Sequence, residues 1–301
     1  MVELKKEDKM NSTNSIPEGY HERYGWTRKT INKKFISFSI KNKIKNLKIN
    51  KDTIDQFRIN YLDNGCGIGL IDLSDVTTDV AKQESLFLDI NSYLGSLLEQ
   101  NIKKEKIVEI KNIGKSMSSG GRYHQTSEGG SLHTDCPQWK HRPNYVGLFC
   151  KRTAKFGGDG KYLSAYAVHE EMSKNHPSSL KILYGLFHFD QRDDAEDLKN
   201  PTIVEPIFYF KDDKLSFRYL SNYIRDGHLK VKSPLTKEQN TALNNLDNVI
   251  SNSDLIMNHK FSPGQALYID NYRIIHGRDS FVDFDDQNKK RLLLRAWIKK
   301  N

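Results

Sequence analysis

No stretch of this 301-residue chain is apolar for long enough to span a bilayer, and its N-terminus lacks the apolar run of a secretory signal, so neither a membrane nor an exported class is indicated. Cysteine is scarce. Cys66, Cys136 and Cys150 are an odd three with no Cys-x-x-Cys pair, which gives no basis for a disulfide framework or a zinc ribbon. Gly65-Cys66-Gly67-Ile68-Gly69 has neither the Gly-x-Gly-x-x-Gly spacing nor the lysine of a phosphate-binding loop. A Gly-x-Ser-x-Gly turn, which would support Ser-His-Asp catalysis, is absent as well.

Clustered charge of one sign is also lacking. The net charge is +9, yet Lys41-Asn42-Lys43-Ile44-Lys45 and Lys103-Lys104-Glu105-Lys106 interleave lysine with Asn, Glu and Ile. That pattern describes a solvated basic surface rather than a groove for phosphates, so nucleic acid is not the expected partner. A content of 37% hydrophobic and 28% charged residues fits a globular chain with a sizeable core. We expect a flexible leader over residues 1–19, rich in Lys, Glu, Asn and Ser, and then one domain over residues 20–301, with the cytoplasm as compartment.

Periodicity gives a coarse outline. Lys34 to Ile40 alternates like a strand, Asp52 to Asn60 reads as helix, and Gly67 to Leu73 as a strand. Between Asp79 and Gln100, Leu86, Ile90, Tyr93, Leu94 and Leu97 recur at helical spacing, which predicts an amphipathic helix backing a sheet. Ser116 to Gly130 is a polar, glycine-flanked loop. Asn144 to Thr153 and Lys161 to Ala167 read as strands around the Gly157-Gly158 turn, and a helix starts near Ala167. Residues 190–235 read as an irregular insertion of strands and loops, suited to covering the mouth of a site and contacting substrate. Thr236-Lys237-Glu238-Gln239 predicts a capping box ahead of an apolar stripe from Ala242 to Ile250. Gln265 to Asn271 and Arg291 to Ile298 read as strands. In the second, Arg291, Leu293, Arg295 and Trp297 share one face, and Leu292, Leu294, Ala296 and Ile298 share the other.

The most informative residues are His133-Thr134-Asp135 and, far downstream, His276. Two imidazoles and one carboxylate hold iron(II) on one face and leave its other positions open, the set suited to chemistry with dioxygen. Cys136 follows Asp135 directly and is read as a small, partly buried neighbour rather than a ligand.

Taken in order, Tyr123-His124-Gln125-Thr126-Ser127-Glu128-Gly129-Gly130, His133-Thr134-Asp135-Cys136-Pro137, Gly157-Gly158, Ser262-Pro263-Gly264, Asp270-Asn271, His276-Gly277-Arg278 and Arg291-x-x-x-Arg295 resemble the taurine dioxygenase (TauD/TfdA) family of iron(II)- and 2-oxoglutarate-dependent oxygenases. The resemblance spans roughly residues 118–299. It implies a double-stranded β-helix, or jelly-roll, with helices packed outside. It also implies Fe(II) held by His133, Asp135 and His276, with 2-oxoglutarate and O2 as co-substrates. Arg291, fifteen positions after His276 (291 − 276), takes the role of pairing with the far carboxylate of 2-oxoglutarate. Arg295 is implied to meet an anionic group of a small-molecule substrate, while Gln125 and Tyr123 either reach the pocket or fix their loop. Arg278 is open between substrate contact and an ion pair with Asp270 or Asp279.

One position departs from the family pattern. Gly160 stands where a Thr or Ser hydroxyl is expected to help hold the 2-oxoglutarate carboxylate, which leaves three alternatives: replacement by Ser164, by water, or by nothing. The presence of Asp135 implies oxygenation rather than halogenation, with hydroxylation as the default outcome. Three rivals are a nucleic-acid demethylase, which needs basic and aromatic residues clustered at its opening, a metal-binding module without turnover, and a zinc hydrolase. The last leaves Arg291 and Arg295 without a task.

Overall fold

The computed structural model describes residues 24–32, 36–116, 123–192, 200–211 and 213–301. Expectations for the leader at residues 1–19, for Gly120-Gly121 and for Lys34 and Phe35 fall outside these. In chain order the helices are α1 (Lys51–Phe57), α2 (Val80–Leu94), α3 (Ala165–Asn175), α4 (Pro177–Leu183), α5 (Ser221–Lys230) and α6 (Lys237–Ile250). The strands are β1 (Ile68–Asp72), β2 (Ser96–Leu97), β3 (Ile107–Ile110), β4 (Gly130–His133), β5 (Tyr145–Arg152), β6 (Phe156–Gly157), β7 (Gly160–Ser164) and β8 (Leu186–Asp190). They continue with β9 (Thr202–Pro206), β10 (Phe208–Lys211), β11 (Lys214–Phe217), β12 (Met257–His259), β13 (Gln265–Asp270), β14 (Ile274–Arg278), β15 (Phe281–Val282) and β16 (Leu292–Lys299).

Two sheets organise the molecule. The larger runs β1-β13-β5-β16-β2, with β3 also on β16, and the smaller runs β12-β7-β14-β4. Ile68, Val146, Leu267, Leu293 and Trp297 of the larger sheet pack with Tyr162, Met257 and Ile274 of the smaller in one buried cluster. The outer face of the larger sheet, including Phe149, Tyr268, Leu294, Ala296 and Ile298, packs on α1 and α2. The outer face of the smaller sheet, through Leu163 and Ile275, packs on α3, α4 and α6. The result is a mainly β jelly-roll with helices outside, as expected. The alternation expected for β16 holds, because Leu293 and Trp297 face inward while Leu294, Ala296 and Ile298 face the helices.

One expectation is corrected. The helix expected to reach Gln100 stops at Leu94, because the chain must pass the end of β16: a Cβ at Gly95 would run into the Lys299 carbonyl, and Leu97 instead pairs with Ile298. Residues 190–235 carry the strands expected there and, in addition, a helix. β9 pairs with the preceding β8, β10 pairs with β11, and α5 follows; Phe208, Phe217 and Tyr219 of this segment are fully buried. At Ser37, within the expected strand from Lys34, there is a single parallel bridge to Leu70. The capping box forms, with Thr236 and Gln239 exchanging side-chain and backbone hydrogen bonds.

Candidate metal and co-substrate site

Pairing between β4 and β14 sets His133 directly opposite His276, and pairing between β14 and β7 sets His276 opposite Tyr162. Three side chains from three strands therefore stand in a row across the smaller sheet. Asp135 lies two residues past His133, beyond the end of β4, where the chain turns sharply. Cys136 takes a left-handed backbone (φ 52°) and its carbonyl accepts the Trp139 N–H at 3.0 Å. Asn271 fixes this turn. Its side-chain oxygen accepts the Asp135 N–H at 2.7 Å, while its amide donates to the carbonyls of Asp135 at 2.9 Å and Pro143 at 3.1 Å.

The ligand atoms converge. Asp135 Oδ1 lies 3.4 Å from His133 Nε2 and 3.8 Å from His276 Nε2. Potential ligand atoms of all three lie within 4.8 Å of one another, and no other such group occurs among the described residues. His133 Nδ1 donates to the Ser131 carbonyl at 2.7 Å, which leaves its Nε2 lone pair for a metal. Burial, reinforced by the neighbouring His133, pushes the His276 imidazole down to about 3, so it is neutral and able to ligate. Burial opposes ionisation of Asp135, but Arg295 and the two histidines outweigh it and hold the carboxyl far below the usual range. The other carboxylate oxygen, Oδ2, accepts Trp297 Nε1–H at 2.6 Å. Such a set of two imidazole nitrogens and one oriented carboxylate fits a divalent iron with open positions.

The cavity at the triad, about 90 Å³, is lined by Gly158, Tyr162, Arg278, Arg291 and Arg295 and by the apolar Ile110, Leu148, Phe261 and Leu293. Arg291 is 5% exposed, and its Nη1 has no hydrogen-bond partner among the described residues. Burial lowers its pKa, and Asp283 meets its backbone N–H, at 2.8 Å, rather than its guanidinium. An uncompensated buried guanidinium is costly unless a ligand supplies the carboxylate, so the position fits the far end of 2-oxoglutarate. Gly158 makes room for it, since a Cβ there would lie 3.3 Å from Arg291 Nε and its φ of +77° disfavours other residues.

Arg295 also lines the cavity. Its Nε donates to Gln100 at 2.9 Å, its guanidinium stacks 4.3 Å over Trp297, and its Nη1 lies 3.8 Å from Asp135 Oδ2. Arg278 makes neither of the ion pairs considered for it: Asp270 pairs with Arg273 and Asp279 with Lys161, each at 2.6 Å. It lines the cavity and donates to the carbonyls of Thr126 at 2.5 Å and Asp279 at 3.1 Å, and burial with Arg291 nearby pushes it down to about 10. Gln125 is half-buried in the turn Tyr123–Gln125, where His124 supplies the cavity wall. The Tyr123 side chain lies outside the described residues. Ser164 does not replace the missing hydroxyl at Gly160, because its Oγ donates to the Tyr24 carbonyl at 2.5 Å and caps α3.

Sequence reasoning missed three contributors. Trp297 was placed on the correct face without its bond to Asp135, Gln100 was read as the end of a helix, and Tyr162 drew no comment. The signal for Trp297 was its position two residues after Arg295 on a strand whose alternate face is buried.

The sheet sandwich and its triad define the class of iron(II)- and 2-oxoglutarate-dependent oxygenases. Residues 59–297 match the family described as taurine catabolism dioxygenase TauD, TfdA family, and the chain belongs to it. It is similar to FR-33289 synthase of Streptomyces rubellomurinus, 27% identical over 240 residues that cover 77% of this chain and 69% of that protein. It is also similar to gamma-butyrobetaine dioxygenase of Homo sapiens, 27% identical over 154 residues covering 50% of this chain but only 40% of the relative. Among solved structures, asparagine oxygenase (AsnO) superposes with a TM-score of 0.65 at 15% identity, covering 83% of this chain and 78% of that one. The non-heme iron oxygenase OrfP in complex with Fe and alpha-ketoglutaric acid gives 0.61 at 14% identity, covering 83% and 80%. At these identities the structural likeness speaks for the fold.

Proposed function

We propose that the protein oxidises, by default hydroxylates, an unactivated C–H bond of a small organic substrate bearing an anionic group. The observation that carries this reading is the buried Arg291, without a carboxylate partner, facing the same cavity as His133, Asp135 and His276. The three ligands would hold iron(II), and Arg291 would bind the far carboxylate of the 2-oxo acid. Iron and 2-oxoglutarate, when bound, supply oxidising power through oxidative decarboxylation to succinate with dioxygen. The chain's own residues do the rest. Trp297 and Asn271 fix the Asp135 carboxylate and backbone, the Ser131 carbonyl sets the His133 tautomer, and Ile110, Leu148 and Leu293 keep the cavity wall dry.

Arg295 is the proposed anchor for the substrate's anionic group, which would fix the C–H bond presented to the metal. The names of two similar proteins point to small carboxylates, gamma-butyrobetaine and asparagine. Gln125 and Tyr123 flank the cavity-lining His124 in sequence and are proposed either to contact substrate or to fix this loop. The segment 190–235 is proposed to brace the ligand loop: Tyr219 exchanges hydrogen bonds with Thr134, and Arg218 donates to the carbonyls of Pro137 at 2.6 Å and Trp139 at 2.8 Å. Residues 20–301 are read as one domain. The described residues contain no helix able to cross a membrane, and three free cysteines suit the reducing cytoplasm.

A screen of small amino, sulfonic and phosphonic acids scored by succinate formation tests the reading. Arg295→Ala should weaken substrate binding and raise succinate formation uncoupled from product, with 2-oxoglutarate binding little changed. Substrate affinity and coupling that ignore Arg295→Ala would contradict the anchor. A nucleic-acid substrate would instead give oligonucleotide binding that falls steeply with salt.

A further inference from the structure

We infer that the Tyr162 hydroxyl, together with Arg291, holds the far carboxylate of the 2-oxo acid, taking the place of the hydroxyl that Gly160 cannot supply. The inference rests on reading the site as a 2-oxoglutarate centre. Gly160 and Tyr162 lie two apart on β7, so both face the cavity that their strand shares with His276 and Arg278. The tyrosine ring folds back over the glycine: a Cβ at Gly160 would lie 2.7 Å from both Tyr162 Oη and Cε2. A Thr or Ser there would collide with the ring, and the tyrosine oxygen occupies the space its hydroxyl would use. Glycine is thus the consequence of Tyr162, and the apparent loss of a hydrogen-bonding group is a relocation of it.

Two further facts direct the hydroxyl to a ligand. Tyr162 is 1% exposed and lines the cavity, yet its hydroxyl has no hydrogen-bond partner among the described residues. Buried tyrosine O–H groups ordinarily have one. Its electrostatic neighbour is Arg291, whose Nη1 is likewise unpartnered. A carboxylate between them satisfies both groups, accepting one hydrogen bond from the phenol and others from the guanidinium. Burial raises the Tyr162 pKa well above the tyrosine norm, so the group remains a donor at any working pH.

The test is calorimetric titration of the Mn(II)-loaded full chain with 2-oxoglutarate and with 2-oxobutyrate, which has the chelating end but no far carboxylate. Tyr162→Phe keeps the ring and removes only the oxygen. It should weaken 2-oxoglutarate binding by about tenfold or more, the usual worth of a hydrogen bond to a charged group, and leave 2-oxobutyrate unchanged. Unchanged 2-oxoglutarate affinity in Tyr162→Phe would overturn the inference while leaving the class intact. Equal weakening of both ligands would also overturn it, by placing the effect at the metal next to His276. Failure of the Mn(II)-loaded wild type to bind 2-oxoglutarate would remove the reading on which the inference rests.

Discussion

At the scale of single residues, the site depends on how Asp135 is held. One carboxylate oxygen faces the histidine nitrogens and the other is fixed by the Trp297 indole, so the metal meets a carboxylate already oriented. Trp297→Phe should keep the packing of the ring and weaken metal affinity by roughly 10- to 100-fold, the typical effect of losing a partner that orients a ligand. Competition with a chelator of known affinity measures it, and an unchanged affinity would show that Arg295 and the chain turn suffice. His133, Asp135 and His276 were singled out through the His-x-Asp pair and the family resemblance, and the fold brings their potential ligand atoms within 4.8 Å of one another. Trp297, Gln100 and Tyr162 were not singled out, since each acts on a partner far away in sequence and only strand register brings them together.

A second residue-scale prediction concerns Cys150. Burial pushes its thiol up to about 12, opposed by Arg291 nearby. A thiol whose pKa is raised on folding stabilises the native state below its unfolded value, and that contribution is lost as pH rises from about 9 towards 12. Cys150 should therefore resist alkylation in the folded protein at pH 8 and label readily once the chain unfolds, as mass spectrometry of the labelled peptide would report. Rapid native labelling at that pH would contradict its burial.

At the scale of elements, the turn carrying Asp135 and the β13–β14 turn are tied through Asn271, which is fully buried and makes three hydrogen bonds to backbone groups. Asn271→Ala leaves those groups unpaired in the interior, and a cost of about 1–3 kcal/mol per group gives a loss of several kcal/mol. Chemical denaturation should show it, together with weakened metal binding. A variant as stable as the wild type would mean that water replaces the amide. Most elements were legible from period and capping: the α6 box and the β16 alternation follow directly from residue order. The overrun of α2 arose because Leu97 continues the helical spacing, whereas the stop is imposed by β16 passing against Gly95, a tertiary constraint absent from local pattern. Within residues 190–235 strands were legible but α5 was not, because Gly227 interrupts its local helical signal and is required where the helix backbone meets the His188 carbonyl.

At the scale of the whole molecule, two sheets from distant parts of the chain meet at one cavity, to which β4 and β14 bring His133 and His276, β7 brings Tyr162, and β16 with the residue just before it brings Arg295 and Arg291. The net charge of +9 plays no visible part in this geometry and belongs to the solvated surface. The central claim is that one cavity binds iron(II) through His133, Asp135 and His276 and 2-oxoglutarate through Arg291. Anaerobic titration of the metal-free protein with Fe(II) and then 2-oxoglutarate, followed by the iron-to-2-oxoglutarate charge-transfer absorption, tests it most directly. The account predicts a saturable band of one-to-one stoichiometry. The band should be absent in His133→Ala, Asp135→Ala and His276→Ala proteins that keep their circular dichroism, and in Arg291→Ala the 2-oxoglutarate midpoint should rise by an amount worth about 2–5 kcal/mol. No band in the wild type, a band that survives Asp135→Ala, or a midpoint indifferent to Arg291→Ala would contradict it.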